Sequence, residues 1–205
     1  MNNKGLLIVL SGPSGSGKGT VCKELLKNKA YWLSISATTR NPREGEKHGE
    51  SYYFLSKEEF KQQIEKENFL EYAEVYGNFY GTPKDTVMDK INKGINVILE
   101  IDIQGALMVK EMYREAILIF ITPPSMEELK NRIIGRNSET EESFKLRFQS
   151  AFKELEFVPR YEYMVVNDKV DQATKKIESI ITAEKCRVNI QQDFYKELIG
   201  GYKNE

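Results

Sequence analysis

The sequence predicts an α/β fold: a parallel sheet with a phosphate-binding loop, flanked by helices, with a small mixed insert and a helical lid. Short apolar runs alternate with helical patterns along the chain, which is typical of βαβ units joined by right-handed crossovers. A glycine-rich segment directly follows the first apolar run. The alternation is interrupted at residues 34–75, where aromatic residues and short alternating runs indicate an inserted unit that folds over one end of the sheet.

The strands are predicted from short runs that are almost wholly apolar. A strand of a parallel sheet is buried on both faces, so it needs no regular polar positions. The segments with this composition are residues 5–10, 96–102, 117–121 and 163–166. Tyr31 and Trp32 precede a further predicted strand and are expected to pack against the insert.

The helices are predicted from capping residues and from apolar side chains at helical spacing. The first is expected over residues 18–29, directly after the glycine-rich segment. Thr82 and Pro83 predict the start of another helix, with Thr82 as N-cap and Pro83 at the first helical position. Gly94 would lie just past the end of that helix.

The second half of the chain predicts a lid and a last helix. Ser125 and Glu128 have the spacing of a capping box. They open a polar, arginine-dotted region that is expected to form a helical lid over about residues 125–160. Asp171 is expected to open the last helix, and residues 191–205 are polar enough to fray.

Composition limits the classes of function. The 205 residues carry 30 Lys and Arg against 31 Asp and Glu, a formal net charge of -1, which argues against a general nucleic-acid or membrane-surface binder. The longest apolar run, residues 116–121, is far shorter than the roughly 20 residues that span a bilayer. The two cysteines form no CxxC pattern and favour a reduced, cytoplasmic protein. The single histidine, His48, disfavours a zinc site or a Ser-His-Asp hydrolase and is expected on a surface loop.

Residues 12–18, GPSGSGK, carry the strongest signal for chemistry. They match the G-x-x-x-x-G-K pattern of a phosphate-binding loop, in which backbone N–H groups and the lysine surround nucleotide phosphates. The predicted strand before the loop and the helix after it supply the required context. Position 19 departs from the pattern, which has Ser or Thr there. The expected ATP-binding residues of this loop are Gly12, Pro13, Ser14, Gly15, Ser16, Gly17, Lys18, Gly19 and Thr20.

Arg40 and Arg43 offer a second place for an anion. Arginine binds phosphate in a bidentate manner, which lysine does less well. Two arginines in a polar loop are by themselves more typical of a solvated surface. In a chain that also has a phosphate-binding loop, the two arginines are candidates for a functional anion site, because a kinase needs a second anion site for its acceptor.

Ordered sequence blocks extend these observations to most of the chain: GPSGSGKGT from residue 12, SATTRNPREGE from 36, GESYYF from 49, FLEYAEVYGNFYGTP from 69, ILEIDIQGA from 98, RIIGRNSETEES from 132 and VVND from 165. With these blocks, residues 4 to about 185 resemble the guanylate kinase family, whose members pass a phosphoryl group from ATP to GMP. The resemblance implies a core at residues 4–33 and 83–185, a GMP-binding insert at about 34–82 and a C-terminal tail at 186–205.

The resemblance also implies roles for individual residues. Those that match the family's site for the GMP phosphate are Ser36, Arg40, Arg43, Tyr52 and Tyr80. Those that match the residues around guanine are Glu71, Thr82 and Asp102. A carboxylate accepts from guanine N1–H and the 2-amino group, and a hydroxyl can donate to O6. The implied catalytic residues are Lys18 and the lid arginines Arg132, Arg136 and Arg147, and Asn167 matches a position near the adenine of ATP.

The implied reaction is Mg²⁺-dependent phosphoryl transfer from ATP to GMP in the cytoplasm, with dGMP open as a second acceptor and the oligomeric state undetermined. Thr20 and Glu100 are candidates for holding magnesium, although a structural role is about as well supported for Glu100. No nucleic-acid or membrane partner is expected.

One alternative is an inactive guanylate-kinase-like interaction module, against which the intact loop and arginines argue. The other is a kinase for a different small phosphorylated acceptor, against which Glu71, Thr82 and Asp102 argue.

Overall fold

A parallel sheet forms the centre of the computed structural model, which describes residues 4–75, 77–134 and 141–202. The strands in this part of the chain are β1 (Leu7–Ser11), β2 (Tyr31–Leu33), β3 (Ala37–Thr38), β4 (Tyr53–Phe54), β5 (Phe69–Val75), β6 (Asn78–Pro83), β7 (Asn96–Glu100), β8 (Ile117–Thr122) and β9 (Tyr163–Val166). The helices are α1 (Lys18–Leu25), α2 (Lys57–Glu65), α3 (Lys84–Asn92), α4 (Ile103–Met112), α5 (Met126–Ile134), α6 (Glu141–Leu155), α7 (Val170–Lys185) and α8 (Gln192–Tyr202), with a short 3₁₀ helix at Val158–Arg160. None of these described helices combines the length and the apolar composition that a membrane crossing needs.

The main sheet has the strand order β2-β7-β1-β8-β9, and every neighbouring pair is parallel. Alternate residues of a strand face opposite sides of the sheet. In β1, Ile8 and Leu10 therefore pack in a core with α1 and α7, while Leu7 and Val9 pack in a core with α3 and α4. All four side chains are buried, which explains why the strand contains no polar position until its end.

A second, mixed sheet lies between β2 and α3 along the chain. Its described strands run in the order β4-β3-β6-β5, with β3 and β4 parallel and the other pairs antiparallel. Phe60 of α2 is fully buried against this sheet and stacks on Phe69 and Phe79, with ring centroids 4.4 and 5.4 Å apart. Ser56 and Glu59 form the capping box that starts α2. The insert thus has a small apolar core of its own.

The lid helices α5 and α6 pack on each other and on the glycine-rich loop. Leu129 and Ile133 of α5 share a buried cluster with Ala151 of α6. Leu129 Cδ1 and Ile133 Cγ1 also lie 3.0 and 3.1 Å from the position that a Cβ at Gly15 would occupy. Apolar contact therefore places the described part of the lid directly against the loop.

The structure confirms the α/β class and the strands predicted for the main sheet, but it corrects local predictions. Tyr31 and Trp32 form β2 itself rather than preceding the strand, and they pack on the two cores of the main sheet, one of which includes Leu70 of β5. The prediction of Thr82 as a helix N-cap is wrong. Thr82 pairs with Glu71 in the β5–β6 ladder, and Pro83 is the N-cap of α3.

Helix ends differ from the predictions as well. α1 ends at Leu25 rather than at residue 29, because the chain then tightens into i→i−3 turns, such as Asn28 N–H to the oxygen of Leu25 at 3.0 Å. α7 begins at Val170, with Lys169 rather than Asp171 before it as N-cap. The tail that was expected to fray instead contains the helix α8.

Replacing Ile119, at the centre of β8, is expected to destabilise the whole sheet. Its side chain is fully buried, so Ile119→Ala removes buried methyl groups and leaves a cavity. We expect the free energy of unfolding to fall by about 2–5 kcal/mol in urea denaturation. The control Val188→Ala, at a side chain that is 75% exposed, should change it by less than about 0.5 kcal/mol. An equally small effect at Ile119 would contradict the assigned core.

Candidate active site

The glycine loop between β1 and α1 adopts a conformation that side chains would block. Gly12 has a φ of +139°, and a Cβ there would lie 2.1 Å from the backbone oxygen of Ile121. Gly17, the N-cap of α1, has a φ of +87°, and a Cβ there would lie 2.3 Å from Asn167 Nδ2. Glycine fits both positions, so the loop lies tightly against the ends of β8 and β9. The N-terminus of α1 opens at this loop, which favours the binding of an anion.

Lys18, the first residue of α1, reaches back over the loop. Its ammonium donates to the carbonyl oxygens of Gly12 and Pro13, the latter at 3.2 Å. Burial lowers the pKa of Lys18, and the nearby carboxylates of Glu100 and Glu154 oppose that shift. The side chain is therefore a partly desolvated cation beside a helix N-terminus, where phosphate groups bind.

Glu100, the last residue of β7, connects the loop with a neighbouring cavity. Its Oε1 lies 3.3 Å from the position of a Cβ at Gly19, so a larger residue at position 19 would press on the carboxylate. The cavity that Glu100 borders has a volume of about 170 Å³. Its other polar lining residues are Ser34, Ser36, Ser51, Tyr52 and Thr82. The loop and the cavity are thus adjacent.

Arg40 packs against Tyr52, one of the residues that line the cavity. The guanidinium carbon lies 5.5 Å from the centroid of the Tyr52 ring. Tyr80 meets Tyr52 edge to face at 6.1 Å between centroids, and its phenol lies within hydrogen-bond reach of Arg40. Arg43 lies exposed in the same loop, and its backbone N–H donates to a carboxylate oxygen of Glu46 at 2.8 Å. The structure thus brings Arg40, Tyr52 and Tyr80 together and leaves the Arg43 side chain at the surface.

Glu71 of β5 is a buried carboxylate where the two sheets meet. Thr82 Oγ1 donates to its Oε1 at 2.6 Å, and its Oε2 lies 3.1 Å from the position of a Cβ at Gly105. Asp102 accepts the N–H of Gly105 at 2.8 Å, so both carboxylates meet the first turn of α4. Burial raises the pKa of Glu71 to about 7, with repulsion from Asp102 adding to burial and the bond from Thr82 opposing it.

The hydroxyl of Thr82, which the sequence leads us to expect as a donor to guanine O6, donates to Glu71 in this structure. The pairing of β5 with β6 sets Thr82 opposite Glu71, and the hydroxyl proton goes to the carboxylate. In this arrangement the Thr82 oxygen offers lone pairs to a ligand rather than a proton.

Arg132 of α5 lies beside the glycine loop. Its Nε donates to Glu128 Oε1 at 2.8 Å, and its Nη1 donates to the backbone oxygen of Asn167 at 3.0 Å. The same Nη1 lies 3.9 Å from the position of a Cβ at Gly17. Asn167 in turn donates through Nδ2 to the backbone oxygen of Ser16 at 2.8 Å. These bonds connect the lid, the end of β9 and the loop.

The remaining lid arginines are placed less directly. Arg147 lies exposed on α6, and Arg136 lies outside the described residues. Near the loop, Asn167 Oδ1 and Ser16 Oγ are buried and make no hydrogen bond within the described part of the chain. Buried polar atoms of this kind are unfavourable unless a ligand or water satisfies them.

Sequence reasoning missed Glu154 and Ser34. Glu154 of α6 is close enough to Lys18 and Asp102 for their charges to act on its pKa, which burial raises. Ser34 follows β2 and lines the cavity with a buried hydroxyl. Neither residue belongs to a local pattern, because only the fold brings it to the site.

The residues at the loop also fit a magnesium ion that accompanies a nucleotide. In kinases Mg²⁺ is held largely by substrate phosphates and waters, with one or two protein oxygens. Glu100 borders both the loop and the cavity, and Thr20 lies exposed in the first turn of α1. Over residues 4–75, 77–134 and 141–202, no group of three or more His, Cys, Asp or Glu side chains is arranged to hold a metal ion by itself.

The site combines a glycine loop at the carboxyl edge of a parallel sheet, a lysine at a helix N-terminus and an adjacent polar cavity. This combination defines a phosphate-loop nucleotide phosphotransferase. The sequence profile described as "Guanylate kinase" matches residues 4–184. The chain belongs to the guanylate kinase family.

Similar proteins agree with this assignment. A guanylate kinase of Clostridium tetani is 67% identical over 190 residues, which cover 93% of this chain and 91% of that relative. A guanylate kinase of Caldanaerobacter subterraneus is 56% identical over 199 residues, 97% of each chain. The crystal structure of guanylate kinase from Anaplasma phagocytophilum matches with a TM-score of 0.70 and 37% identity, over 90% of this chain and 88% of that one.

Adding a methyl group at Gly17 is expected to disrupt ATP binding. In Gly17→Ala the Cβ would collide with Asn167 Nδ2, 2.3 Å away, at a backbone φ of +87°. We expect the Kd for ATP, measured by calorimetric titration, to rise at least about tenfold, because the loop and Lys18 must shift. Gly77→Ala is the matched control, since Gly77 has a φ of +76° with nothing within 4 Å of its Cβ position. Equal losses of ATP affinity in both variants would mean that the contact with Asn167 is unimportant.

Proposed function

We propose that the chain transfers the γ-phosphoryl group of ATP to GMP, giving ADP and GDP, in the cytoplasm and with Mg²⁺ bound to ATP. The observation that carries this proposal is the position of Glu100, whose carboxylate lies beside Gly19, 3.3 Å from the position of a Cβ there, and lines the polar cavity. A donor phosphate on the loop and an acceptor phosphate in the cavity would be neighbours, as direct transfer requires. Membership of the family supports the same reaction.

On the donor side, the loop N–H groups and Lys18 would bind the β- and γ-phosphates. Arg132, whose Nη1 lies 3.9 Å from the Cβ position of Gly17, would add positive charge over the transferring group, and Arg136 and Arg147 would join it as the lid closes. Asn167 Oδ1, buried without a partner among the described residues, would accept from the amino group of adenine. Stabilising charge on the transferring group is the main contribution of the protein in this chemistry.

On the acceptor side, the phosphate of GMP would lie among basic and hydroxyl side chains. Arg40 already stands against Tyr52, with Tyr80 beside both. Ser36 lines the same cavity as Tyr52. We assign Arg43, which is exposed on the same loop, as the cation that moves in to the phosphate. Arginine and tyrosine together would fix the acceptor oxygen in line with the donor.

Guanine selection would rest on Glu71, Thr82 and Asp102. The ionised Glu71 accepts from N1–H and the 2-amino group. Because Thr82 donates its proton to Glu71, we assign its oxygen to the 2-amino group rather than to O6. Adenine has neither the N1 proton nor the 2-amino group, so it would leave the buried carboxylate unpaired, which is costly.

The reaction needs no dedicated general base, because the acceptor is already a phosphate oxygen. The contribution of the chain is then positioning, electrostatic stabilisation and closure that excludes water. A bound magnesium ion would neutralise charge on the phosphate oxygens, and Thr20 and Glu100 are the candidates for holding it.

The substrate is tested by ADP release from magnesium-ATP with GMP, dGMP, AMP, CMP, UMP and dTMP offered separately. We expect turnover with GMP, and a kcat/KM at least about 1000-fold above that for AMP, because AMP leaves Glu71 unpaired. The dGMP reaction decides whether the ribose 2′-hydroxyl is needed. Turnover with a pyrimidine nucleotide would contradict the guanine site, and no turnover in protein shown to be folded by circular dichroism would favour the interaction module.

The affinity for GMP is expected to rise with pH around neutrality. Glu71 binds guanine as the carboxylate, but its pKa is raised to about 7. At lower pH the Glu71 carboxyl must therefore lose its proton before guanine binds. We expect the Kd for GMP to fall about tenfold between pH 6 and pH 8, the change in the ionised fraction of such a group, and then to level off.

Glu71→Gln is the control for this pH dependence, because it removes the titrating carboxyl and keeps the shape. The phosphate of GMP has a second pKa of about 6 and titrates in the measurements on both proteins. Only the difference between the pH profiles of the wild type and of Glu71→Gln therefore belongs to Glu71. Identical slopes in the wild type and in Glu71→Gln would contradict the assignment.

A further inference from the structure

Glu46 holds a central place in the loop that carries the two arginines of the acceptor site. Both of its carboxylate oxygens accept from Nη2 of Arg40, each at 2.9 Å. Its Oε2 also accepts the backbone N–H of Arg43 at 2.8 Å. The two side chains of this ion pair are only 17% and 22% exposed for Arg40 and Glu46. Glu46 therefore contacts Arg40 through its side chain and Arg43 through its backbone.

The carboxylate is anchored by the loop as well as by Arg40. The N–H of Glu46 donates to the backbone oxygen of Arg43 at 3.0 Å, which closes a turn, and Gly45 supplies the positive φ of +83° within it. The bond from the Arg43 N–H to the Glu46 carboxylate closes the same turn from the other side. These contacts lower the pKa of Glu46, so it is ionised near neutral pH.

Glu46, Asn41 and Tyr52 hold the guanidinium of Arg40, and some of its N–H groups bond to none of them. Nη1 donates to the backbone oxygen of Asn41 at 2.7 Å, and the ring of Tyr52 lies 5.5 Å from the guanidinium carbon. Glu46 engages Nη2 and Asn41 engages Nη1, so neither of them takes the Nε–H. A guanidinium has five N–H groups in a fixed plane, and fixing that plane decides where the remaining ones point.

We propose that Glu46 is a positioning residue of the acceptor site, which acts through Arg40 by holding its guanidinium in the orientation that binds the acceptor phosphate. This inference rests on the proposed function, because it takes the acceptor to be a nucleoside monophosphate. An arginine that is already oriented loses less freedom when the phosphate binds, and the affinity for the phosphate rises accordingly.

The same geometry has a competing explanation with the opposite consequence. A carboxylate on Arg40 could act as an internal anion that the acceptor phosphate must displace. In that case removing the charge of Glu46 would tighten GMP binding, whereas removal of a positioning residue weakens it. The direction of the change in affinity separates the two explanations.

The test is a double-mutant cycle of Glu46→Gln and Arg40→Ala, read by calorimetric titration of GMP and by steady-state kinetics. We expect Glu46→Gln to raise the Kd and the KM for GMP about tenfold or more, with the KM for ATP changed by less than about threefold. In the Arg40→Ala background, Glu46→Gln should add less than about twofold, because a residue that acts through another is non-additive with it.

The matched control is Glu44→Gln, which removes an exposed carboxylate from the same loop and should leave the Kd for GMP within about twofold of the wild type. Tighter or unchanged GMP binding in Glu46→Gln would overturn the inference, as would full additivity with Arg40→Ala or an equal rise in the KM for ATP. If the wild type binds GMP without turnover, the proposed function is contradicted, and the Kd values still test the role of Glu46. If the wild type does not bind GMP, both the proposed function and the role of Glu46 are overturned.

Discussion

The close approach of the glycine loop to the ends of β8 and β9 is the constraint on which the rest of the site depends. Gly12 lies against the backbone of Ile121, and Gly17 lies against Asn167. Because the loop is in contact there, Asn167 can bond both to Ser16 and, through its own carbonyl, to the lid residue Arg132. These bonds connect the loop, the end of β9 and the lid helix α5.

Three of the cations assigned to phosphate, Lys18, Arg40 and Arg132, lie near a carboxylate. Arg40 pairs with Glu46, Arg132 pairs with Glu128, and Glu100 acts on the pKa of Lys18. Pairs of this exposure contribute little to folding stability, so their effect is better sought in orientation.

The parts of this architecture that the sequence predicts are those encoded by neighbouring residues. Continuous apolar runs reveal β1, β7 and β8, where burial on both faces leaves little place for polar residues. The edge strand β9 is revealed by its apolar run as well, although Met164 and Val166 are exposed there. The loop is evident because its glycines and Lys18 are adjacent. Thr82 shows the limit: its local sequence favours a helix cap, but pairing with Glu71 in the β5–β6 ladder prevails. Glu154 gives no signal at all, because only the packing of α6 brings it near Lys18.

Gly19 shows how a departure from a motif is explained by a residue far away in the sequence. The usual loop has a hydroxyl at this position, which serves magnesium. In this chain the Glu100 carboxylate lies 3.3 Å from where that side chain would start, so Ser or Thr would displace it. β1 and β7 are parallel neighbours with Leu10 opposite Glu100, and such strands present their carboxyl ends to the same edge. Glycine at position 19 therefore leaves room for a carboxylate that the fold brings from the adjacent strand end.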